Sequence, residues 1–566
     1  MNRHATALLL LPIFAVPLAA QTAGGGFDKR FSWYGIHSGD IMGAACANVG
    51  DVDGDGYDDV AAGAPGLDGP GGNNTPNYGR LQVFSGVDGG LIYEYMGSSD
   101  WENVGGAITG LGDVNGDGRD DFAYSSDLGD GTVYIKSGAS GGNLLSISAP
   151  ANSGSFGDSI ENAGDYNGDG INDLFVSAPN SNLSGVSNSG SAFVISGATG
   201  SVLLTLNGLE VNGNFGQDIA CPGDVNGDGT IDFSITATGD SLAGMTRPGA
   251  AYLFSGATAT PIYSWPGDSD YNLYGWSIGN AGDINSDGVA DIMVGHIFYD
   301  SPQNNRVGRV DFYSGADGSL LRQIAGSEYW EDLGSDVSLI GDMDNDGVND
   351  HLLGADGRAY GGRAYIHSGA SGDLLYACES DGYSHYFGTT VCGVGDLNQN
   401  GRDEFMVGAT SAWLNGPTPG AAYLYEFRDF LSANTNTLSA ASGGVIELDM
   451  NFPDDWLFHP GSTRYAVLAT ASGLGYSQVF GLPNPLVQDS IFARTAGDNY
   501  TPHFQNPRGN LDLNGDAVST IIFGPGQASS MIGQTFHLSC AWYEIASWGD
   551  FMFHAFSRPV AVTIIP

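Results

Sequence analysis

The sequence predicts an all-β protein: a seven-bladed β-propeller followed by a small C-terminal β-sandwich. Three observations lead there. A nine-residue acidic string recurs seven times at intervals of 52 to 62 residues. Each copy sits in the same order of short apolar runs and Gly/Asn/Asp/Ser turns. Glycine supplies 89 of 566 residues, about twice ordinary usage, yet hydrophobic residues still reach 42% with 26 Tyr and 27 Phe, ample for a core. A repeat of this length is a supersecondary unit that buries its faces only against copies of itself.

At the N-terminus, Met1–Ala20 has a positive start at Arg3, an apolar centre over Ala5–Val16 and a small-residue exit at Leu18-Ala19-Ala20. This predicts a secretory signal peptide over 1–20, with a retained N-terminal anchor as the alternative. No later stretch approaches 18 uninterrupted apolar residues, so no membrane span is expected. Lys+Arg is 18 against Asp+Glu 64, a net charge of −46. Such a surface repels nucleic acid and anionic lipid, which removes both as partners.

The propeller is expected over residues 27–430. Each unit opens on a bulky residue followed by glycine: Met42-Gly43, Val104-Gly105, Phe156-Gly157, Phe215-Gly216, Tyr274-Gly275, Leu333-Gly334 and Phe387-Gly388. The acidic string follows, then an apolar run such as Phe122-Ala123-Tyr124. A variable loop, a Gly-led strand ending in Ser-Gly and a last strand such as Leu203–Leu206 complete the unit. Four short strands with turn residues between them make a small antiparallel sheet, and seven such sheets packed radially make the propeller.

The string places oxygens at positions 1, 3, 5 and 9 and, in all copies, Gly at position 6, a pattern suited to a hard cation with the position 7 carbonyl as a further ligand. The first copy offers Asp51, Asp53, Asp55, Tyr57 and Asp59; the second Asp113, Asn115, Asp117, Arg119 and Asp121; the third Asp165, Asn167, Asp169, Ile171 and Asp173. The fourth offers Asp224, Asn226, Asp228, Thr230 and Asp232, and the fifth Asp283, Asn285, Asp287, Val289 and Asp291. The sixth has Asp342, Asp344, Asp346, Val348 and Asp350, and the seventh Asp396, Asn398, Asn400, Arg402 and Glu404. Calcium, up to seven ions in a structural role, fits better than magnesium, which demands tighter octahedral geometry. An EF-hand is excluded at position 12, where an acidic ligand is required and Ala62, Tyr124, Val176, Ile235, Val294, Leu353 and Val407 stand instead. Carboxylate count should rank the sites, with the seventh weakest. A related string at Asp512 lacks the glycine and the closing ligand and is set aside.

These units resemble the FG-GAP repeats of the integrin α-chain propeller, most closely over Phe156-Gly157 to Ser177-Ala178-Pro179. The resemblance spans about Phe27–Arg428. It implies that an N-terminal strand, here Phe27–Trp33, completes the last blade. It also implies that ligands dock on the rim opposite the calcium loops, which favours adhesion. That rim should carry the aromatics Trp101, Tyr271, Tyr329, Trp330, Tyr383, Tyr386 and Trp413 on its loops. Loop aromatics suit protein hot spots or sugar stacking; the competing reading is that they fill gaps between sheets.

Beyond the repeats, 431–443 reads as a Ser/Thr/Asn/Ala-rich linker. Strand-like runs at Val445–Leu448, Tyr465–Thr470, Val518–Phe523, Thr535–Trp542 and Val560–Ile565 suggest a β-sandwich over 444–566. The five cysteines, an odd number, leave at least one unpaired; Cys378 and Cys392 are near enough in sequence to bridge, though buried free thiols fit equally. There is no HExxH and no phosphate-binding loop, and His296, His351 and His367 sit at predicted strands as structural residues. No enzyme is expected. The expected function is a secreted, calcium-binding adhesion or ligand-binding module for a protein or glycan, extracellular or at the cell surface. The alternatives are a polysaccharide-acting enzyme using the propeller cleft, or a self-assembling surface-layer or matrix component.

Overall fold

The computed structural model describes residues 25–37, 39–68, 77–127, 130–241, 245–269, 272–301, 306–357, 361–379, 385–411 and 419–429, and, beyond these, the backbone of ten strands between 431 and 565. The signal segment 1–20, Tyr271, Tyr383, Trp413 and residues 512–516 of the string at Asp512 lie outside the described residues. Described residues contain no helix long and apolar enough to cross a membrane.

Seven four-stranded antiparallel sheets form the propeller. Blade 1 runs Ala45–Gly50, Asp59–Ala64, Arg80–Phe84 and Leu91–Met96 from axis to rim. Blades 2 to 6 repeat this order, beginning at Ile108, Ile160, Phe215, Ile278 and Leu333. Blade 7 takes three strands from the end of the repeat region, His385–Gly395, Glu404–Ser411 and Ala421–Asp429. Its fourth is Gly25–Tyr34, antiparallel to Ala421–Asp429 with Phe27 opposite Phe427 and Trp33 opposite Ala422. The closure expected from Phe27–Trp33 is thus the one observed.

The apolar patterning follows from each strand's place. Second strands are buried at every residue in blades 1 to 6, because both faces meet a neighbouring sheet; outermost strands are mostly exposed or half-buried. The core is therefore divided into seven clusters, one at each junction between blades. Between blades 1 and 2, for example, Ala61, Leu81 and Val83 pack on Ile108, Phe122 and Tyr124. No single cluster spans the ring, so each blade is stable only between neighbours.

Two repeated glycines gain their reason here. The bulky residue of each Met/Val/Phe/Tyr/Leu-Gly pair is buried, and all but Phe156 bridge in parallel to the glycine that leads the third strand of the preceding blade, as Phe215 does to Gly190. Gly190 has φ +83°, and a Cβ there would lie 2.0 Å from the Phe215 carbonyl oxygen; only glycine permits that approach. Tyr274 takes the same buried place, its hydroxyl donating to Tyr313 at 2.9 Å. Inner strands are further stitched by Ser335 Oγ to Gly388 O (2.8 Å) and by Ile278 N to Asp218 Oδ2 (2.9 Å).

The C-terminal strands form two sheets. One orders Leu431–Ala433, Gly444–Met450, Ala517–Phe523 and His503–Gln505. The other orders Thr437–Ser439, Val560–Ile565, Thr535–Ile545, Thr463–Ala471 and Arg508–Asn510, with Phe551–Phe556 also paired to Thr535–Ile545. All five expected runs fall inside strands. The linker reading of 431–443 needs correction: Leu431–Ala433 and Thr437–Ser439 pair at sheet edges. Composition alone concealed this, because runs of three residues are too short for a periodic signal.

Among the described cysteines, Cys46, Cys221 and Cys392 are free. Cys378 lies on the outermost strand of blade 6 and Cys392 on the innermost strand of blade 7, so closeness in sequence does not bring them together. His351 is buried with Nε2 2.9 Å from Ala281 O, and burial pushes its imidazole down to about 4. It is a neutral structural residue.

Candidate functional site

Each acidic string joins the first and second strands of its blade and lies at the same end as the Ser-Gly turn between strands three and four. The turn is built by its own carboxylates. In the third copy, Gly170 N donates to Asp165 Oδ2 (2.8 Å), Asp169 N to Asp165 Oδ1 and Asn167 Oδ1 (both 2.9 Å), and Ile171 N to Asp169 Oδ1 (2.9 Å). Glycine at position 6 is left-handed in every copy, from φ +84° to +96°, which explains its recurrence.

Position 9 is the buried anchor. In the sixth copy Asp350 accepts Met343 N at Oδ2 and Gly369 N at Oδ1, both at 2.8 Å, tying loop, strand and turn together. The equivalent bonds to the turn glycine recur from Gly86, Gly138, Gly197, Gly256 and Gly315. Burial pushes the carboxyls of Asp59 and Asp350 up to about 7 and that of Glu404 up to about 8. In the second copy, N–H groups of Gly118, Asp117 and Gly116 hold the position 1 carboxyl of Asp113 below the usual carboxylate range.

The donor set fits a hard dication. In copies one and six, carboxylate oxygens of positions 1, 3 and 9 all lie within 4.8 Å of one another: Asp51, Asp53 and Asp59, and Asp342, Asp344 and Asp350. Among the described residues no Lys or Arg forms an ion pair with a position 9 carboxylate. In copies two, three and four, the Asn at position 3 bonds the position 9 carboxylate through Nδ2 at 3.1–3.3 Å. In the seventh, Asn398 Nδ2 lies 2.5 Å from Glu404 Oε1, while buried Oε2 lacks a hydrogen-bond partner. An oxygen orphaned in that way is the atom a cation would satisfy. A bound ion would be held by these side chains and the position 7 carbonyl, and would supply charge neutralisation rather than a reactive centre.

The opposite end carries the aromatic loops. Trp101 and Trp330 occupy the same turn in different blades, four residues before Gly105 and Gly334, with φ +62° and +60°. Each turn is clamped by the next residue. Glu102 Oε2 accepts Ser98 N (2.6 Å) and Ser99 N (3.0 Å), and Glu331 Oε2 accepts Ser327 N (2.7 Å) and Glu328 N (2.8 Å). Trp101 is 62% exposed and Tyr329 49%, whereas Trp330 is half-buried with the Arg306 guanidinium 4.8 Å from its ring centroid. Tyr386 is also half-buried, at φ +65°. No sequence signal marks the clamping glutamates, nor Trp276, which is 39% exposed, contacts Phe298 edge-on and stands among the residues lining the axis.

Along the axis runs a channel of about 330 Å³ lined by the inner strands. Asp158, Glu161, Asp218 and Asp336 line it, and no Lys, Arg or His does. Asp336 Oδ2 accepts Val391 N of the next blade at 2.8 Å. Burial, then mutual repulsion, pushes the carboxyls of Glu161 and Asp336 up to about 8; burial pushes that of Asp218 up to about 7.

The chain is a seven-bladed all-β ring with an acidic loop between the first two strands of every blade, and residues 47–84 and 156–195 match the FG-GAP repeat. Among characterised proteins the chain is similar to integrin α chains. The chain is 30% identical over 199 residues to integrin alpha-5 of Xenopus laevis, covering 31% of this chain and 19% of the relative. It is 27% identical over 233 residues to integrin alpha-V of Gallus gallus (38% and 21%), and 29% over 258 residues to integrin alpha pat-2 of Caenorhabditis elegans (39% and 20%). The chain thus spans about a fifth of the length of the relatives it matches. A chain of the solved BBS1N–ARL6DN complex aligns over 70% of this chain and 96% of its own length, with 11% identity and a TM-score of 0.43.

Proposed function

We propose that this chain is an exported, calcium-stabilised propeller that binds an extracellular protein or glycan ligand through the rim opposite its acidic loops. The observation that carries the reading is the pair of carboxylate-clamped turns, one carrying Trp101 and the other Trp330 with Tyr329 5.6 Å from its ring. An aromatic held rigidly at a loop tip loses little conformational freedom on binding, which is how hot-spot residues gain affinity. Likeness to integrin α chains supports an adhesion-type role.

The test is binding of the purified protein to a mixed glycan and extracellular-protein array in millimolar calcium. Discrete hits are expected, and Trp101→Ala or Trp330→Ala should abolish them. Because Trp101 is mostly exposed, its substitution should change stability by no more than about 0.5 kcal/mol, so a lost signal reports recognition rather than unfolding. An array that stays blank, or hits that survive both substitutions, would sink the rim assignment.

Calcium has its own test. Each site held at 100 times its Kd adds about 2.7 kcal/mol, so excess chelator should lower Tm by more than about 10 °C for a ring of this size. Calorimetry with and without chelator reads this directly. An unchanged Tm would refute a structural role for calcium. The seventh loop, with two carboxylates at its ligand positions, should be the first to empty.

A further inference from the structure

Loops one and six differ from the other five in one ligand position and in one neighbour. They alone carry Asp at position 3, so four carboxylates stand at their ligand positions where loops two to five have three. They alone are followed, one blade on, by arginine at position 7: Arg119 after loop one and Arg402 after loop six. That place holds Ile171, Thr230, Val289 and Val348 after loops two to five, and Tyr57 after loop seven around the ring.

Both guanidinium groups turn back onto the preceding loop. Arg119 Nη1 lies 3.9 Å from Asp51 Oδ1. It fills the space that a side chain at Gly54 would need, since a Cβ built there falls 0.3 Å from Nη1. Arg402 Nη1 donates to the carbonyls of Asp342 (3.3 Å) and Met343 (3.0 Å), the first residues of loop six. One guanidinium against four carboxylates leaves three negative charges, the value loops two to five have unaided.

We propose that Arg119 and Arg402 are internal counter-ions that set the cation affinity of loops one and six, bringing these loops level with the three-carboxylate sites. The inference rests on the reading that the loops bind calcium. It also revises the ranking by carboxylate count, because the fourth carboxylate is already offset from the next blade. Two effects of opposite sign follow. Without calcium, removing the arginine leaves four carboxylates facing one another and weakens the seam between blades. With calcium, removing a positive charge about 6 Å from a dication strengthens binding by about tenfold in a water-like dielectric, less in salt.

The experiment is a calcium titration of the full chain by calorimetry at low ionic strength, comparing wild type, Arg119→Gln, Arg402→Gln and the charge-preserving Arg119→Lys. Each is also melted in chelator and in saturating calcium. Either Gln variant should bind calcium about three- to tenfold more tightly at one site and melt lower in chelator, and high salt should shrink the gain. Arg119→Lys should stay near wild type. Asp53→Asn should weaken one site, and Asp53→Asn with Arg119→Gln should return it towards wild-type affinity, a compensation that a purely structural staple would not give. Folded Gln variants with unchanged or weaker calcium affinity would overturn the proposal. A wild-type chain that takes up no calcium would instead overturn the calcium reading itself.

Discussion

Removing residues 25–34 should open the ring and leave a protein that melts tens of degrees lower or fails to accumulate as a soluble monomer. The strand does more than finish blade 7. Phe27 is buried, with edge contacts to Phe427 and Phe405 of its own blade and to Tyr376 of blade 6. Trp33 stacks on Phe84 of blade 1 at 4.4 Å and donates its indole N–H to Gly89 O at 3.1 Å. Arg30 Nη2 donates to Val87 O at 2.7 Å. Ten residues thus bind three blades. Without them, Ala421–Asp429 becomes an open edge with unpaired backbone groups, a template for aggregation. Phe27→Ala alone should cost about 3–5 kcal/mol through cavity formation. A synthetic peptide of residues 25–34 should restore the truncated protein's melting transition. Equal Tm values for the truncated and intact chains would disprove the closure.

The second large effect is on pH dependence. Glu161, Asp218 and Asp336 share the channel with Asp158, Cys46 and Cys392, and no base faces them. Their carboxyls titrate near 7 to 8 in the fold, against about 4 in an unfolded chain. A raised carboxyl means that the folded state holds more protons than the unfolded state. Stability must then fall as pH rises from about 4 to about 8, and stay low above that. In saturating calcium, which keeps the loops from titrating, Tm should drop from pH 5 to pH 9 as the unfolding free energy falls by something on the order of several kcal/mol. The group titrates as a set rather than residue by residue. Glu161→Gln is the cleanest probe: it should raise Tm at pH 9 and leave it unchanged at pH 5. A Tm that climbs with pH, or a Gln variant no better at pH 9, would refute the argument.

Blade count, strand order and the closing strand were legible because repetition multiplies weak local signals. A single Asp-rich turn says little, but seven at even spacing fix a unit, and a missing fourth strand in blade 7 points to Phe27–Trp33. Partners across blades were not legible. Arg119 and Arg402 entered the reading only as backbone carbonyls, since nothing local shows that their side chains reach the preceding loop. The axial carboxylates escaped for a related reason: Asp218 and Asp336 share one place in the repeat that the other blades fill with Ala, Ser or Thr, and Asp158 and Glu161 belong to a single blade, so no seven-fold signal marks them. The rim was half legible. Trp101 and Trp330 were found as loop aromatics, but Glu102 and Glu331, which fix their turns, look in sequence like ordinary surface acids.

The register of the closing strand carries one more consequence. Gly25 lies opposite Asp429, so the first and last residues of the propeller are cross-strand neighbours at one point on its perimeter. A domain whose ends meet behaves as a cassette. It can be spliced into a surface loop of a host protein, or reopened at the turn between two other blades, without crossing its own core. Joining 25 to 429 through a short glycine linker and cutting between blades 3 and 4 should give a circular permutant with the same seven sheets.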